Sequence, residues 1–363
     1  MNQQTPSNAE PRPAAAGSMF DLSIDDLKQS ITQLLNEPAT DDGAPFITHT
    51  ADHWLEIHDT QPESRELFGK LWFEHELCIL FSDTNVGKSI LAVQIGDSIA
   101  NGRGITPFVP KAGKQRVLYF DFELSTRQFG NRYVDEHKKR YFFGDHFQRS
   151  ALNPCIEVPD GFGTFEEYIC FMIAHEVIKT QATVVIIDNI TYLRTETERA
   201  KDALPLMKQL KALKEKFGLS ILALAHTPKR DRSLPINRND LSGSKMIINF
   251  CDSAFSIGES YNDSQVRYLK QIKQRNTEEV YGESNVLVYQ ITKPGNFLHY
   301  DYIGTSSEWE HLKKRSDDDT DDLTQQAVQL HQQGLTLRQI GAELNISHTK
   351  AKRLIDKVNN PAL

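Results

Sequence analysis

Residues 77–89 read Leu-Cys-Ile-Leu-Phe-Ser-Asp-Thr-Asn-Val-Gly-Lys-Ser, and this stretch decides the fold. Leu77–Phe81 is a short apolar run of the kind that forms a buried strand. A helix is expected over Ser89–Ala100, because apolar residues recur there at helical spacing and Gly102 follows. The polar residues in between therefore form a loop that leads from a strand into the N-terminus of a helix.

This loop has the character of a P-loop, in which successive backbone N–H groups surround a phosphate at the positive end of a helix. We expect Gly87 to let the backbone approach closely, Lys88 to reach the β- and γ-phosphates of ATP, and the Ser89 hydroxyl to bind Mg²⁺. Ser82 is the one departure, since a glycine is usual there. The predicted nucleotide-binding residues are Ser82, Asp83, Thr84, Asn85, Val86, Gly87, Lys88 and Ser89.

Strand and helix patterns alternate from Leu71 to about Ile303, which predicts a mainly parallel sheet with helices on both faces. Three further apolar runs predict buried strands: Arg116–Phe120, Thr183–Ile187 and Ser220–Ala225. Helices are predicted at Thr164–Lys179, where Thr164 and Glu167 suit a capping box, and at Leu206–Phe217. Two later segments predict strands that join one edge of the sheet: Val266–Ile272 and Asn285–Ile291.

Acidic residues follow two of these strands. Asp188 ends a buried strand, at the edge where open α/β sheets bind ligands, and can hold Mg²⁺ through water. Its alternative role is to cap a turn together with Asn189. Either Asp121 or Glu123, just beyond the strand Arg116–Phe120, is placed to orient and deprotonate the water that attacks the γ-phosphate. The residues themselves do not separate these two acids.

The order of these motifs, followed by a strand ending in His226-Thr227 and a strand with a Lys-x-Arg end, resembles the RecA/DnaB superfamily. Within it, residues 50–295 are most similar to the RepA-like hexameric helicases of plasmids and mobile elements. The resemblance implies that Glu123 is the catalytic base and that His226 senses the γ-phosphate. It also implies a homo-oligomeric ring, a hexamer, with single-stranded DNA in its channel.

The resemblance assigns Lys273 and Arg275 to the γ-phosphate bound by the neighbouring subunit, where an arginine stabilises charge in the transition state. Without the resemblance, these two residues form an ordinary solvated basic edge, and His226 is a polar loop residue. The basic loop Thr227–Asp240 is either a solvent loop or a channel loop that contacts DNA phosphates. The candidate DNA contacts in and after this loop are Lys229, Arg230, Arg232, Arg238 and Lys245.

Residues 323–363 predict a small all-α domain whose three helices resemble a helix-turn-helix. A tight turn at Asn345–Ser347 separates the last two helices, and Gly341 supplies a small residue where helices cross. The last helix exposes a set of polar and basic residues that can enter the major groove of duplex DNA: His348, Thr349, Lys350, Lys352 and Arg353. A trihelical bundle that docks onto another protein is the alternative.

Composition narrows the remaining possibilities. The formal charge is −8 over 363 residues, so DNA contact must come from local basic patches. Four well-separated cysteines and the lack of a transmembrane-length apolar run predict a cytoplasmic protein with no membrane partner. The expected organisation is a disordered N-terminus with a short amphipathic helix (1–47), a RecA-like ATPase domain (48–305), a charged linker (306–322) and the helix-turn-helix domain (323–363).

Three functions remain open on these grounds. The first is a DNA-dependent ATPase, a ring helicase or DNA-remodelling motor with ATP and Mg²⁺ as cofactors. The second is an ATP-regulated DNA-binding protein of a mobile element that never unwinds DNA. A small-molecule P-loop kinase is disfavoured, because the sequence shows no lid or acceptor-binding pattern.

Overall fold

The computed structural model describes residue 29 and residues 46–153, 157–192, 203–228, 230–241, 244–313, 317–344 and 346–359. These residues fall into two compact units. The first is drawn from Met1–Glu63 and Cys155–Gln181, and the second from Ser64–Pro154 and Ala182–Leu363. The helix predicted at residues 23–35 lies outside the described residues, apart from Gln29.

The strands, in chain order, are β1 (Glu66–Phe68), β2 (Trp72–Phe73), β3 (Leu77–Ser82), β4 (Val117–Asp121), β5 (Phe147–Ala151), β6 (Val184–Asp188), β7 (Ser220–His226), β8 (Ser253–Glu259), β9 (Val266–Lys273), β10 (Val286–Thr292) and β11 (His299–Ser306). The helices are α1 (Ala51–Thr60), α2 (Lys88–Asn101), α3 (Thr126–Tyr133), α4 (Phe165–Thr180), α5 (Ala203–Phe217), α6 (Ser244–Phe250), α7 (Asp317–Gln332), α8 (Leu337–Glu343) and α9 (His348–Asn359). Every helix in the described part of the chain is too short or too polar to cross a membrane.

Threonines cap two helices in the described part of the first unit. The Thr50 hydroxyl accepts a hydrogen bond from the His53 backbone N–H at 3.2 Å, which caps α1. The Thr164 hydroxyl accepts from the Glu167 N–H at 3.1 Å, which caps α4 as predicted. The Glu167 carboxylate accepts from the N–H of Gly163, one residue before the position that a capping box requires.

Nine strands form one sheet in the order β11-β10-β9-β8-β3-β7-β6-β4-β5. The six strands from β8 to β5 are parallel, and β9, β10 and β11 continue the sheet antiparallel to their neighbours. Strands β3 and β6 are buried along their whole length, as expected for apolar strands covered on both faces. The predicted RecA-like α/β fold, a mainly parallel sheet flanked by helices, is therefore confirmed.

The register of the parallel strands brings the predicted site residues together. Ser82 at the end of β3 pairs with His226 at the end of β7. Asp121 at the end of β4 pairs with Asp188 at the end of β6. Because parallel strands end at the same edge, these four residues share one edge of the sheet, which we call the carboxyl edge.

Several strands were not predicted. Strands β5 and β11 lie at the two edges of the sheet, and their exposed and half-buried positions outnumber their buried ones. An edge strand covers little apolar surface, so its sequence lacks the apolar run that marks a central strand. The later strands predicted near 266–272 and 285–291 are confirmed as β9 and β10, on the antiparallel side of the sheet.

Helices α7, α8 and α9 have a hydrophobic core of their own, centred on Ala327, Ile340, Ala351, Leu354 and Ile355. This confirms the predicted trihelical arrangement. A Cβ atom on Gly341 would lie 2.7 Å from the Ile346 carbonyl oxygen, so only glycine fits against the turn before α9 without a shift.

The prediction that residues 306–322 form a solvated linker is wrong for part of this range. Glu308 and Leu312 are buried, and α7 already begins at Asp317. The run of aspartates has no apolar periodicity, so the sequence gives no sign of a helix there. Acidic residues in the first turn of a helix are nevertheless stabilised by the helix dipole, by about 0.3–1 kcal/mol each.

Candidate functional site

The P-loop backbone turns where α2 begins. Gly87 has φ 108° and forms the N-cap of α2 without any side-chain cap, so the first turn keeps N–H groups for a ligand. A Cβ on Gly87 would lie 2.6 Å from the Tyr300 hydroxyl. The Val86 carbonyl of the loop accepts two hydrogen bonds, one from Arg267 Nε at 2.8 Å and one from the Tyr300 hydroxyl at 3.0 Å. Neither Arg267 nor Tyr300 was predicted, because both come from distant strands.

Ser82 is accommodated without strain. It ends β3 in a buried position, and it is not among the residues with positive φ, so this place in the loop does not require glycine. Lys88 Nζ donates to the Ser82 carbonyl at 3.1 Å and is 3.3 Å from the Ser82 hydroxyl. The serine therefore adds an oxygen to the surroundings of the lysine.

Lys88 is the cation at the centre of the site, and its side chain is almost fully buried. Its ammonium also donates to the Asp83 carbonyl at 3.0 Å and lies 3.1 Å from His226 Nδ1. Burial lowers the pKa of Lys88 to about 8, and the nearby charges of Asp188 and Glu123 act in the opposite direction. Phosphate oxygens can replace the carbonyls that hold this ammonium.

Asp188 and Ser89 fit the expected magnesium position. The Asp188 carboxylate accepts a hydrogen bond from the Tyr119 hydroxyl at 2.5 Å and another from Ser89. Burial raises the pKa of Asp188 to about 6, and these two hydrogen bonds partly offset the increase. The Ser89 hydroxyl in the first turn of α2 and the Asp188 carboxylate at the end of β6 are the kind of oxygen ligands that Mg²⁺ takes beside nucleotide phosphates.

Asp121 and Glu123 have different surroundings. Asp121 is buried and fully engaged: one oxygen accepts from the N–H groups of Glu123 and Leu124, at 3.1 and 2.8 Å, and the other accepts from Arg149 Nε at 2.9 Å. The Glu123 side chain is 43% exposed and lies 3.4 Å from His226 Nε2. The hydrogen bond to His226 lowers the pKa of Glu123, and burial opposes this effect. The geometry therefore favours Glu123 as the base, while Asp121 shapes the turn that carries it.

His226 connects Lys88 to Glu123. With its proton on Nε2, the ring accepts from Lys88 at Nδ1 and donates toward Glu123. Asn189 also donates to the Glu123 carboxylate and lies 3.0 Å from His226 Nε2. Asn189 was predicted only as a turn residue, and its place beside the base depends on the register between β4 and β6.

Lys273 and Arg275 lie away from this site. Lys273 pairs with Ala254 at the start of β8, the end of that strand opposite to the carboxyl edge. Its ammonium donates to carbonyls at the end of α6, including that of Cys251 at 2.6 Å. Arg275 is half exposed and donates to Asp252 at 3.2 Å. Neither residue belongs to the nucleotide site.

The predicted DNA contacts after β7 are mostly engaged within the chain. The Arg230 side chain is only 8% exposed, which contradicts its expected place in an open basic loop. Arg232 donates to Glu259, and Arg238 donates to the Ile272 carbonyl at 3.3 Å. Lys229 and the side chain of Lys245 lie outside the described residues.

The C-terminal helix presents the polar face that was predicted. His348, Thr349, Lys352 and Arg353 are exposed on α9, while Lys350 is half buried. The Ser347 hydroxyl accepts from the Lys350 N–H at 3.1 Å and caps the helix.

One comparison with known proteins shows the family of the chain. Residues 47–232, just over half of the chain, match the family model of the AAA domain, so the chain belongs to that family. The protein is accordingly a P-loop ATPase with a RecA-like fold, a class that binds nucleotide and typically uses Mg²⁺. A KaiC-like protein of the hyperthermophilic archaeon Pyrococcus horikoshii OT3 is similar in structure. Its TM-score is 0.41 at 14% identity, over 63% of this chain and 90% of that one. The search of the curated proteins gives no match.

Two isosteric substitutions, E123Q and D121N, distinguish the roles of Glu123 and Asp121. We expect E123Q to lower kcat for ATP hydrolysis by about 10²- to 10⁴-fold and to leave ATP affinity intact, because it removes a general base. D121N should instead destabilise the fold by about 3 kcal/mol, because it leaves Arg149 without its carboxylate partner.

Three measurements on both variants make the comparison: the rate of ATP turnover, the binding of a fluorescent ATP analogue and thermal unfolding. The assignment of Glu123 is wrong if E123Q hydrolyses ATP at the wild-type rate, or if D121N loses turnover while its stability and ATP affinity stay unchanged.

Proposed function

We propose that the protein is an ATP-driven DNA motor that works as a ring of identical subunits, in its finer form a RepA-like helicase. The main support for this proposal is the position of Arg275. The nucleotide site lies where the parallel strands end, and Arg275 lies where they begin. The three C-terminal helices, α7, α8 and α9, supply a second surface for duplex DNA.

The length of β3 sets the distance between Arg275 and the P-loop of the same chain. The Asp252 carboxylate, which holds Arg275, also accepts from the Leu77 N–H at the start of β3, at 3.0 Å. The P-loop follows Ser82 at the other end of that strand, and six extended residues span roughly 20 Å. Arg275 is thus too far from the phosphates bound to its own P-loop, and only a neighbouring subunit gives it a nucleotide to act on.

A head-to-tail arrangement follows from this division. Each subunit offers the Lys88 site on one side and Arg275 on another, so the contact is heterologous and closes into a ring when the rotation allows. An arginine supplied in this way stabilises the charge of the transition state and contributes about 10³- to 10⁵-fold in rate. Lys273 donates to carbonyls at the end of α6 and so supports the segment that carries Arg275.

A mixing experiment tests the shared site. K88A alone and R275A alone should each lack ATP turnover, and R275A should still bind ATP. After co-assembly in equal amounts, about one quarter of the interfaces should pair an intact Lys88 site with an intact Arg275, so hydrolysis should return.

K88A mixed with a K88A/R275A double variant has no intact P-loop and sets the background. Absence of any recovery, in mixtures that co-assemble as judged by mass, would rule out the arginine supplied in trans.

The exposed face of α9 supports contact with duplex DNA. Ala351, Leu354 and Ile355 belong to the core that α7, α8 and α9 share, while Lys352 and Arg353 of the same helix are exposed. Residues 323–358 carry five basic and two acidic side chains, a charge of +3 in a chain of −8. A capped helix with a basic outer face suits insertion into a major groove.

The double substitution K352Q/R353Q tests this surface. We expect duplex affinity to fall by about tenfold or more and the salt dependence of binding to weaken by about one ion per lost phosphate contact. K138Q/K139Q removes the same charge from two exposed lysines elsewhere and should change binding far less. If the wild type and K352Q/R353Q bound duplex DNA with equal affinity, the result would favour a protein-docking role for α7, α8 and α9.

Strand displacement separates the motor from the alternative, an ATP-regulated DNA-binding protein without unwinding activity. The motor requires the wild type, and not K88A, to displace a strand from a forked DNA substrate while it hydrolyses ATP. Turnover without displacement on any forked substrate would support the regulator.

A further inference from the structure

The side chain of Asp83 has no role in the chemistry described so far, because a P-loop contacts phosphate mainly through its backbone and its lysine. In the structure, this carboxylate joins the P-loop to the chain that follows β7. One oxygen accepts from the Thr227 hydroxyl, and the other lies 3.9 Å from Arg230 Nε. The Thr227 N–H in turn donates to the Ser82 carbonyl at 3.0 Å.

Arg230 carries this connection onward. Its guanidinium donates to the Leu234 carbonyl at 2.9 Å and is hydrogen-bonded to Tyr268. A cation that is 92% buried depends on its partners, since loss of one leaves an uncompensated charge. We call residues 230–241 the basic segment. Asp83 provides a carboxylate near the cation that begins it.

A second bridge joins the basic segment to the other end of the P-loop. Arg232 and Arg267 both contact the Glu259 carboxylate, Arg267 at 3.3 Å. Arg267 also donates to the Val86 carbonyl. The basic segment is therefore fixed to the P-loop at two places, through Asp83 on one side and through Val86 on the other.

The same part of the P-loop contacts the nucleotide-binding lysine. Lys88 Nζ donates to the carbonyls of Ser82 and Asp83. When phosphate oxygens draw the ammonium away, the peptide groups of residues 82 and 83 lose a charged hydrogen-bond donor. The nearest structures that can respond are the Asp83 side chain and, through it, Thr227 and Arg230.

We propose that Asp83 is a positioning residue that transmits the nucleotide state of the P-loop to the basic segment, through Thr227 and Arg230. The coupling is carried by hydrogen bonds and an ion pair within one subunit. It needs nucleotide binding only, so it holds or fails independently of DNA contact and of the ring.

Hydrogen exchange of the basic segment tests the coupling without DNA. In the wild type, saturation with a non-hydrolysable ATP analogue should change the exchange rate of peptides covering residues 230–241 by about tenfold, the scale of one charge-assisted hydrogen bond. D83A and T227V should lose most of this change. T227S keeps the hydroxyl and should restore it, and D301N, an exposed carboxylate on β11, should behave as wild type.

Analogue binding is measured in parallel by fluorescence. If D83A binds the analogue too weakly, T227V decides the matter, because Thr227 lies outside the P-loop. A full wild-type change in T227V, or no nucleotide-dependent change in the wild type, would overturn the proposal. Loss of coupling in T227V with normal strand displacement would separate this inference from the proposed DNA motor.

Discussion

The buried ammonium of Lys88 is the interaction on which the rest of the site depends. It lies at the carboxyl edge of the sheet, beside the carbonyls of residues 82 and 83 and the ring of His226, and the charges of three carboxylates act on it: Asp188, Glu123 and Asp83. A buried cation is costly unless its partners are fixed. The parallel register of β3, β7, β6 and β4 fixes them, since each of these strands ends beside the same point.

The surroundings of Lys88 and Asp188 suit nucleotide chemistry at the expense of the stability of the fold. Burial raises the pKa of Asp188 and lowers that of Lys88, so the fold disfavours the charged form of both groups. Such opposed shifts are typical of functional sites. Mg²⁺ beside Asp188 and phosphate beside Lys88 would each favour the charged form.

Local patterns were sufficient to predict the centre of the site. Lys88, Ser89 and Asp188 each lie at the start or end of an element whose apolar pattern identifies it, so their common edge followed from the parallel sheet. The role of His226 came from the family resemblance. The residues alone did not separate Asp121 from Glu123. The turn geometry favours Glu123, the residue to which the family resemblance also points.

Features that depend on distant register were not predictable in this way. Arg267 and Tyr300 support the P-loop from strands about 180 and 210 residues further along the chain, and nothing in their local sequence marks that role. Arg230 was expected in an open basic loop, yet Asp83 and Leu234 hold it inside. The start of α7 was missed because a run of aspartates carries no apolar periodicity.

The central claim is that each nucleotide site is half of a contact between subunits. The dependence of specific ATPase activity on protein concentration tests it most directly, because association of identical subunits follows mass action. The account predicts that activity per subunit falls toward zero on dilution and recovers on reconcentration, in step with the oligomer measured by mass. A specific activity that stays constant while the protein dissociates to monomers would contradict it.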